Sequence, residues 1–189
     1  AAQTKRRHHY ERAVTLNLLG SVLSDAGDFE EARAVYLKSL SGFRQCGHDL
    51  DPLTTGAVLN NLGDLLLRCG MPDQAIIWLD QCLEIRRRQL PPMHPLLAVS
   101  MDNKAKALAA QGRIAAALEH HKTAFEIRAA CLGNDHPETN NSKVNWGTLL
   151  FNHGQHTEAG DLFRSAWKAD ALRLGASHTF AIMDGVTYL

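Results

Sequence analysis

Apolar residues recur along the chain with helical spacing, and short glycine-centred breaks interrupt them. In segments such as "AVLNNLGDLLLRCG" (57–70) and "DFEEARAVYLKSL" (28–40), large apolar residues return every three or four positions, the pattern of an amphipathic helix. The pattern predicts eight helices, at about 9–26, 29–45, 53–69, 72–89, 95–111, 114–131, 137–153 and 156–174.

The breaks are periodic. Four glycines, Gly27, Gly70, Gly112 and Gly154, follow one another at spacings of 43, 42 and 42 residues. Five positions after each stands an alanine, and seven positions before each stands a small residue, which is Gly20, Gly63, Ala105 or Gly147. We interpret each unit as two helices that meet at the turn glycine, where a positive φ is easily adopted. The small residues would allow the two helices to approach closely.

A single hairpin of this kind cannot bury its apolar face, so stacking of neighbours is required. We therefore expect one domain over residues 1–189, with repeats at 9–51, 52–93, 94–135 and 136–177 and a partial fifth repeat at 178–189. The incomplete fifth repeat suggests a fragment of a longer chain. Exposed apolar residues there predict self-association through the C-terminal end, and they are Phe180, Ile182, Met183, Val186, Tyr188 and Leu189.

The repeat resembles the tetratricopeptide motif. The residues that carry the resemblance in the first repeat are Gly20, Leu23, Gly27, Ala32, Tyr36 and Ser39. The spacing of 42, rather than about 34, and linkers such as "FEIRAACLGNDHPET" are similar to those of kinesin light chains. The resemblance implies an all-α, right-handed α-solenoid of four hairpins plus a C-terminal extra helix. Pro72 and His121 depart from the motif, so we expect less regular packing in repeat two or three.

Composition narrows the classes of partner. Lys plus Arg and Asp plus Glu are equal at 20 each, which disfavours nucleic acid and anionic membranes as partners. No apolar run approaches the length needed to cross a bilayer. The four cysteines contain no C-x-x-C pair, so we expect reduced thiols and a cytoplasmic protein.

Histidines are the first candidates for chemistry. His120–His121 and the pair His153 and His156 could ligate a metal, but they lack a convergent third ligand, and the second pair straddles a turn. Cys131 with His136 could act as a thiol and base, yet no orienting group is evident. Known catalytic motifs are also missing, so we expect no enzyme, no cofactor and no metal.

His136 has a simpler explanation. It lies in "LGNDHPET" (132–139), eighteen residues before a turn glycine, as do His94 and His9, while His178 follows 42 residues later. A histidine that recurs in this way, twice with a following proline, is interpreted as a helix-start signal. The clusters "KRR" (5–7) and "RRR" (86–88) are expected to form solvated helix faces.

The strongest binding candidate is a column of asparagines. Asn61, Asn103 and Asn145 stand at the same position of three successive first helices, the helices that the resemblance places on the concave side. An amide side chain can pair with both backbone groups of an extended peptide. The predicted peptide groove comprises Asn17, Asn61, Asp64, Asn103, Lys106, Asn145 and Thr148. In the alternative interpretation, these asparagines bond to one another between adjacent helices.

These observations favour a protein-interaction module that binds a partner peptide or helix in the concave groove. A carboxylate clamp fits poorly, because repeat three offers Val99 and Asn103 instead of cations. Two alternatives stay open. The chain could be the sensor or autoinhibitory arm of a larger signalling ATPase or caspase-like protease, or it could be a self-associating scaffold.

Overall fold

A computed structural model describes residues 2–46 and 51–174. They form eight α-helices: α1 (Ala2–Ala26), α2 (Phe29–Cys46), α3 (Pro52–Arg68), α4 (Pro72–Gln89), α5 (Pro95–Ala110), α6 (Ile114–Leu132), α7 (Pro137–Asn152) and α8 (His156–Leu174). The predicted bounds agree to within one residue except at α1, which begins seven residues earlier than expected. The apolar segment expected to drive self-association, 178–189, lies outside the described residues.

The helices pair as hairpins and the hairpins stack. Each odd-numbered helix packs along the even-numbered helix that follows it, and each even-numbered helix also contacts the next odd-numbered one. Successive odd-numbered helices touch one another, whereas no two even-numbered helices do so within the described part of the chain. The odd-numbered helices therefore line the inner side of a curved α-solenoid, and the even-numbered helices form its outer layer.

Each hairpin turns at a glycine with a positive φ. The φ angles of Gly27, Gly70, Gly112 and Gly154 lie between 71° and 89°. At Gly70, for example, the next residue, Met71, donates its N–H to the carbonyl of Leu66 at 2.8 Å, and the same bond closes the other three turns. This is the Schellman arrangement, in which left-handed backbone after the helix satisfies otherwise unpaired carbonyls. The acceptor in every turn is the backbone carbonyl of the leucine four residues before the glycine.

Small residues set the distance between the helices of a hairpin. A Cβ built on Gly20 would lie 2.6 Å from the Tyr36 ring, and one on Gly63 would lie 2.6 Å from Leu79. The alanines five residues after each turn are fully buried, and they are Ala32, Ala75, Ala117 and Ala159. Aliphatic and aromatic side chains of the facing helix therefore fill the space that a larger residue would need.

Two histidines begin helices, as expected. The Nδ1 atom of His94 accepts a hydrogen bond from the N–H of Leu96 at 3.1 Å, and His136 accepts one from Glu138 at 3.2 Å. Proline follows each of them at the first helical position, where its missing N–H leaves no donor unpaired. The helix-start interpretation is wrong for His9, because α1 extends from Ala2 and places this residue in its interior.

The structure agrees with some of the other expectations about scaffold residues and contradicts others. All four cysteines are free thiols. Pro72 occupies the first turn of α4 without disturbing it, so this departure from the motif does not interrupt repeat two. Arg86 overturns the expectation of a solvated "RRR" face, because its side chain is buried between hairpins. Within the described residues, no helix is both long enough and apolar enough to cross a membrane.

Two glycines of repeat two provide a test of these separate roles. At Gly70 an added Cβ would meet no neighbouring atom, so Gly70→Ala should cost only the strain of a positive φ, about 1–2 kcal/mol. Gly70→Asn should lose less, because asparagine tolerates this conformation. At Gly63 the backbone is helical, so Gly63→Ala should destabilise through its clash with Leu79, by about 1–3 kcal/mol.

Urea unfolding followed by circular dichroism measures all three variants. If Gly70→Asn lost as much stability as Gly70→Ala, backbone strain would not be the cause. If Gly63→Ala were neutral, the close approach at the crossing point would not limit the packing.

Candidate functional site

The candidate binding surface is the inner face formed by α1, α3, α5 and α7. Helical spacing places one polar stripe along each helix, and the predicted groove residues lie on these stripes. Asn17, Asn61, Asp64 and Asn145 are half-buried, while Lys106 and Thr148 are exposed. Asn103 is more enclosed, with 8% of its surface exposed.

Two of the three column asparagines bond between neighbouring helices. Asn61 donates its side-chain amide to the Oδ1 of Asn17 at 3.2 Å, which joins α3 to α1. Asn103 donates to the Oδ1 of Asn60 at 3.5 Å, which joins α5 to α3. These are the bonds that the alternative interpretation predicts. Each amide retains further donor and acceptor capacity, and the half-buried Asn61 can direct it toward the groove.

Arg68 adds a cation to the inner face near Asp64. Its guanidinium donates to the Ser24 hydroxyl at 2.8 Å, lies 3.8 Å from the Asp25 carboxylate and stacks 4.9 Å from the centre of the Phe29 ring. These contacts hold Arg68 in place while more than a third of its side chain remains exposed. The middle of the inner face therefore presents both signs of charge. The carboxylates are Asp25 and Asp64, and the cations are Arg68 and Lys106.

Sequence reasoning missed an exposed apolar stripe on α7, which includes the predicted groove residue Thr148. Val144 and Phe151 are 43% and 44% exposed, and with Thr148 they follow the i, i+4, i+7 spacing of one helix stripe. Thr148 donates its hydroxyl to the carbonyl of Val144 at 2.7 Å, within the same helix. An alignment of the repeats by column would have drawn attention to this stripe, because Val144 stands where earlier repeats carry the polar residues Asn17, Asn60 and Asp102.

The histidine and cysteine candidates are engaged in the scaffold. Cys131 donates its thiol to the carbonyl of Met93 at 2.6 Å, while the Nδ1 atom of His136 caps α7, so no thiol–imidazole pair forms. The Nδ1 atom of His153 bonds to the carbonyl of Leu149, and the ring of His156 packs on Phe151. Burial lowers the pKa of His120, and the nearby Lys104 lowers it further, which favours a neutral ring at pH 7. No cluster of three metal-ligating side chains occurs in the described segments.

His121 belongs to a buried polar cluster that joins α5, α6 and α7. Its Nδ1 atom lies 2.8 Å from an oxygen of Asp102, and the other carboxylate oxygen accepts a hydrogen bond from Arg128. Arg128 also donates to the hydroxyl of Ser142 on the following hairpin. Buried charge is tolerated in a core when it is paired and hydrogen-bonded in this way.

The preceding hairpin junction repeats the arrangement. Arg86 donates to the carbonyl of Leu96 at 2.6 Å and to the hydroxyl of Ser100 at 2.5 Å. Ser100 in turn donates to Asn60, which also accepts from Asn103. Burial lowers the pKa of the Arg86 guanidinium. An outer-layer arginine is thus connected through two side chains to an asparagine of the candidate groove.

Comparisons with known proteins agree with this architecture. Tetratricopeptide repeat profiles match residues 12–45, 54–130 and 100–171. A protein of Podosopora anserina described as a putative kinesin light chain with nearly identical TPR-like repeats superposes with a TM-score of 0.74 at 22% identity, over 86% of this chain and 76% of that one. BtubC (BKLC) from P. vanneervenii gives a TM-score of 0.74 at 21% identity, over 88% of this chain and 68% of that one. Among curated proteins, no sequence matches.

The buried cluster at Asp102 gives a stability test. Asp102→Ala would leave the buried Arg128 with only the exposed Glu138, 3.6 Å away, as a carboxylate partner, and should destabilise the protein by about 3–5 kcal/mol. The control is Asp80→Ala, because Asp80 pairs with Lys104 at 2.6 Å but is half-exposed, so its loss should cost less than about 1 kcal/mol. Urea unfolding measures both. Equal losses would contradict the structural role assigned to the buried pair.

The repeat columns, the glycine turns, the stacked hairpins and the matching profiles all describe the same architecture. The chain belongs to the tetratricopeptide repeat family.

Proposed function

We propose that this protein-interaction module binds a partner peptide or helix along its inner face, in a groove formed by Asn17, Asn61, Asp64, Asn103, Lys106, Asn145 and Thr148 and extended by Val144 and Phe151. The observation that carries the proposal is the pair of large apolar side chains that α7 exposes, Val144 and Phe151, which lie on one helix stripe with the groove residue Thr148. Apolar anchors beside polar groups are the usual composition of a peptide-binding surface.

Three parts of the groove would contribute differently. Val144 and Phe151 would bury an apolar side chain of the partner and supply most of the binding free energy. Asn145 and Asn61 would bond to the partner backbone through the capacity that their helix contacts leave unused. Lys106, Asp64 and Arg68 would select partners by charge, since mixed charges at a surface contribute more to specificity than to affinity.

Nothing in the comparisons supports the sensor-arm or scaffold alternatives. The kinesin light chain-like neighbours do not transfer their partners to this chain, since at 21–22% identity the likeness concerns the fold. Cargo-type recognition of acidic peptides would need more cations than Lys106 and Arg68 offer on this face. We therefore propose a partner segment of mixed charge with at least one large apolar residue.

Selection from a library of random peptides tests the groove directly. Peptides would be selected on the immobilised protein, and their dissociation constants measured by fluorescence anisotropy for the wild type and for Phe151→Ser with Asn145→Ala. Loss of an apolar anchor and a polar contact should weaken binding by roughly tenfold or more. Lys122→Glu, on the exposed side of α6, is the control and should leave the affinity within about twofold.

The double variant Asn61→Ala with Asn103→Ala separates the two roles of the asparagine column. If the asparagines bind the peptide, the double variant should lose peptide affinity while its melting temperature stays nearly unchanged. If they only join neighbouring helices, its melting temperature should fall while the folded protein keeps its affinity for the peptide. If the selected peptides bound every inner-face variant as tightly as the wild type, the groove assignment would be wrong.

A further inference from the structure

The third hairpin, formed by α5 and α6, carries two basic side chains at positions that are apolar in the other repeats. Lys104 of α5 lies eight residues before the turn glycine of this hairpin, and His120 of α6 lies eight residues after it. Because both are equally far from the turn of an antiparallel hairpin, the two side chains are neighbours. The residues at the first position in the other repeats are Leu19, Leu62 and Trp146, and those at the second are Val35, Trp78 and Leu162.

The corresponding pair of the second hairpin, formed by α3 and α4, belongs to the hydrophobic core. Leu62 is 1% exposed, and Trp78 packs against the cluster that contains it. Lys104 extends instead toward the second hairpin, where its Nζ atom lies 2.6 Å from a carboxylate oxygen of Asp80 on α4. The ammonium side chain is 19% exposed. An ion pair therefore joins the second and third hairpins at a place where apolar packing would be expected.

His120 is half-buried among charges that come from three helices. Asp80 and Arg87 approach it from α4, Lys104 approaches it from α5, and Glu119 precedes it on α6. Burial lowers the pKa of the ring, and the two cations lower the pKa further, whereas the two carboxylates oppose this shift. A neutral ring fits this environment, but an imidazolium would be partly cut off from water and would lie beside Lys104.

We infer that His120 makes the junction between the second and third hairpins acid-sensitive: when its ring takes up a proton, the junction loosens. The charged ring repels Lys104 and Arg87, and it needs water that the closed junction does not provide. It also competes with Lys104 for Asp80, the carboxylate that joins α4 to α5. The device belongs to the scaffold, so it does not depend on the proposed peptide groove.

The direction of the pH effect follows from the lowered pKa. A histidine of the unfolded chain takes up a proton near its ordinary value of about 6.5, whereas His120 of the folded protein does so at a lower pH. As the pH falls below about 6.5, the unfolded chain therefore binds the proton first and is stabilised by it. The junction keeps its full stability above this pH and loses stability below it.

Urea unfolding at pH 7.5 and at pH 5.5 tests the inference, with His120→Leu as the main variant. Leucine stands at this position in repeat four, as Leu162, so the variant should fold. On acidification, the unfolding equilibrium constant of the wild type should rise by roughly threefold to tenfold more than that of the variant. His8→Leu makes the same change at an exposed histidine of α1, and it should keep the acid response of the wild type.

Lys104→Met tests the charges around the ring. The variant removes the nearest cation and leaves Asp80 to attract the protonated ring, so its acid response should be smaller than that of the wild type. Leucine and tryptophan occupy this position in other repeats, so an apolar side chain is compatible with the hairpin. An unchanged or larger acid response would contradict the role of Lys104.

Two measurements on the folded protein locate the effect. In a proton NMR titration, the ring signal that His120→Leu removes should have a midpoint below about pH 6.5. Hydrogen exchange, corrected for its intrinsic pH dependence, should show more opening at pH 5.5 in α4, α5 and α6 than in α1 and α2, and His120→Leu should suppress the difference.

Three results would overturn the inference. They are equal acid responses of the wild type and His120→Leu, a ring midpoint at or above about pH 6.5, and a gain in exchange that is spread evenly over all the described helices.

Discussion

The close crossing of the two helices in each hairpin is the constraint on which the structure depends. Gly20 and Gly63 lie so near the facing helix that a single additional carbon would meet Tyr36 or Leu79 at 2.6 Å. Because the crossing is this tight, the turn that joins the helices must be short, and the left-handed glycine provides it. A turn glycine recurs in every repeat, and a small residue recurs at the crossing, which is Ala105 in repeat three and glycine in the others, so the hairpins are similar units that can stack.

Stacking is then decided by contacts between hairpins. The first junction is mainly apolar, with Leu40 and Phe43 of α2 in one cluster with Val58. The next two each bury an arginine of the outer layer, Arg86 and Arg128, against a serine of the following helix. A buried guanidinium stabilises only one arrangement, because its hydrogen bonds fail if the neighbouring hairpin slides or rotates. The curvature of the inner face is thereby fixed from the opposite side of the solenoid.

This coupling gives polar residues of the inner face a structural role beside the binding role that we propose for them. Asn103 shares an acceptor with Ser100, and Ser100 is held by Arg86. A partner that drew Asn103 away from Asn60 would therefore disturb a buried junction, whereas Val144 and Phe151 can be covered without such a cost. In the proposed groove, apolar residues at one end would supply affinity, and charged groups in the middle would supply selectivity.

The sequence by itself determined the repeat, the helices, the glycine turns and the helix starts at His94 and His136, because the turns and starts depend on backbone conformation within a few neighbouring residues. The start of α1, predicted at His9, was not determined in this way. It also placed Asn61, Asn103 and Asn145 in one column. Only the tertiary structure decided that two of them bond to adjacent helices, that Arg86 is buried, and that Phe151 is exposed. Burial depends on which helix lies across from a side chain, and a pattern within one helix cannot specify its neighbour.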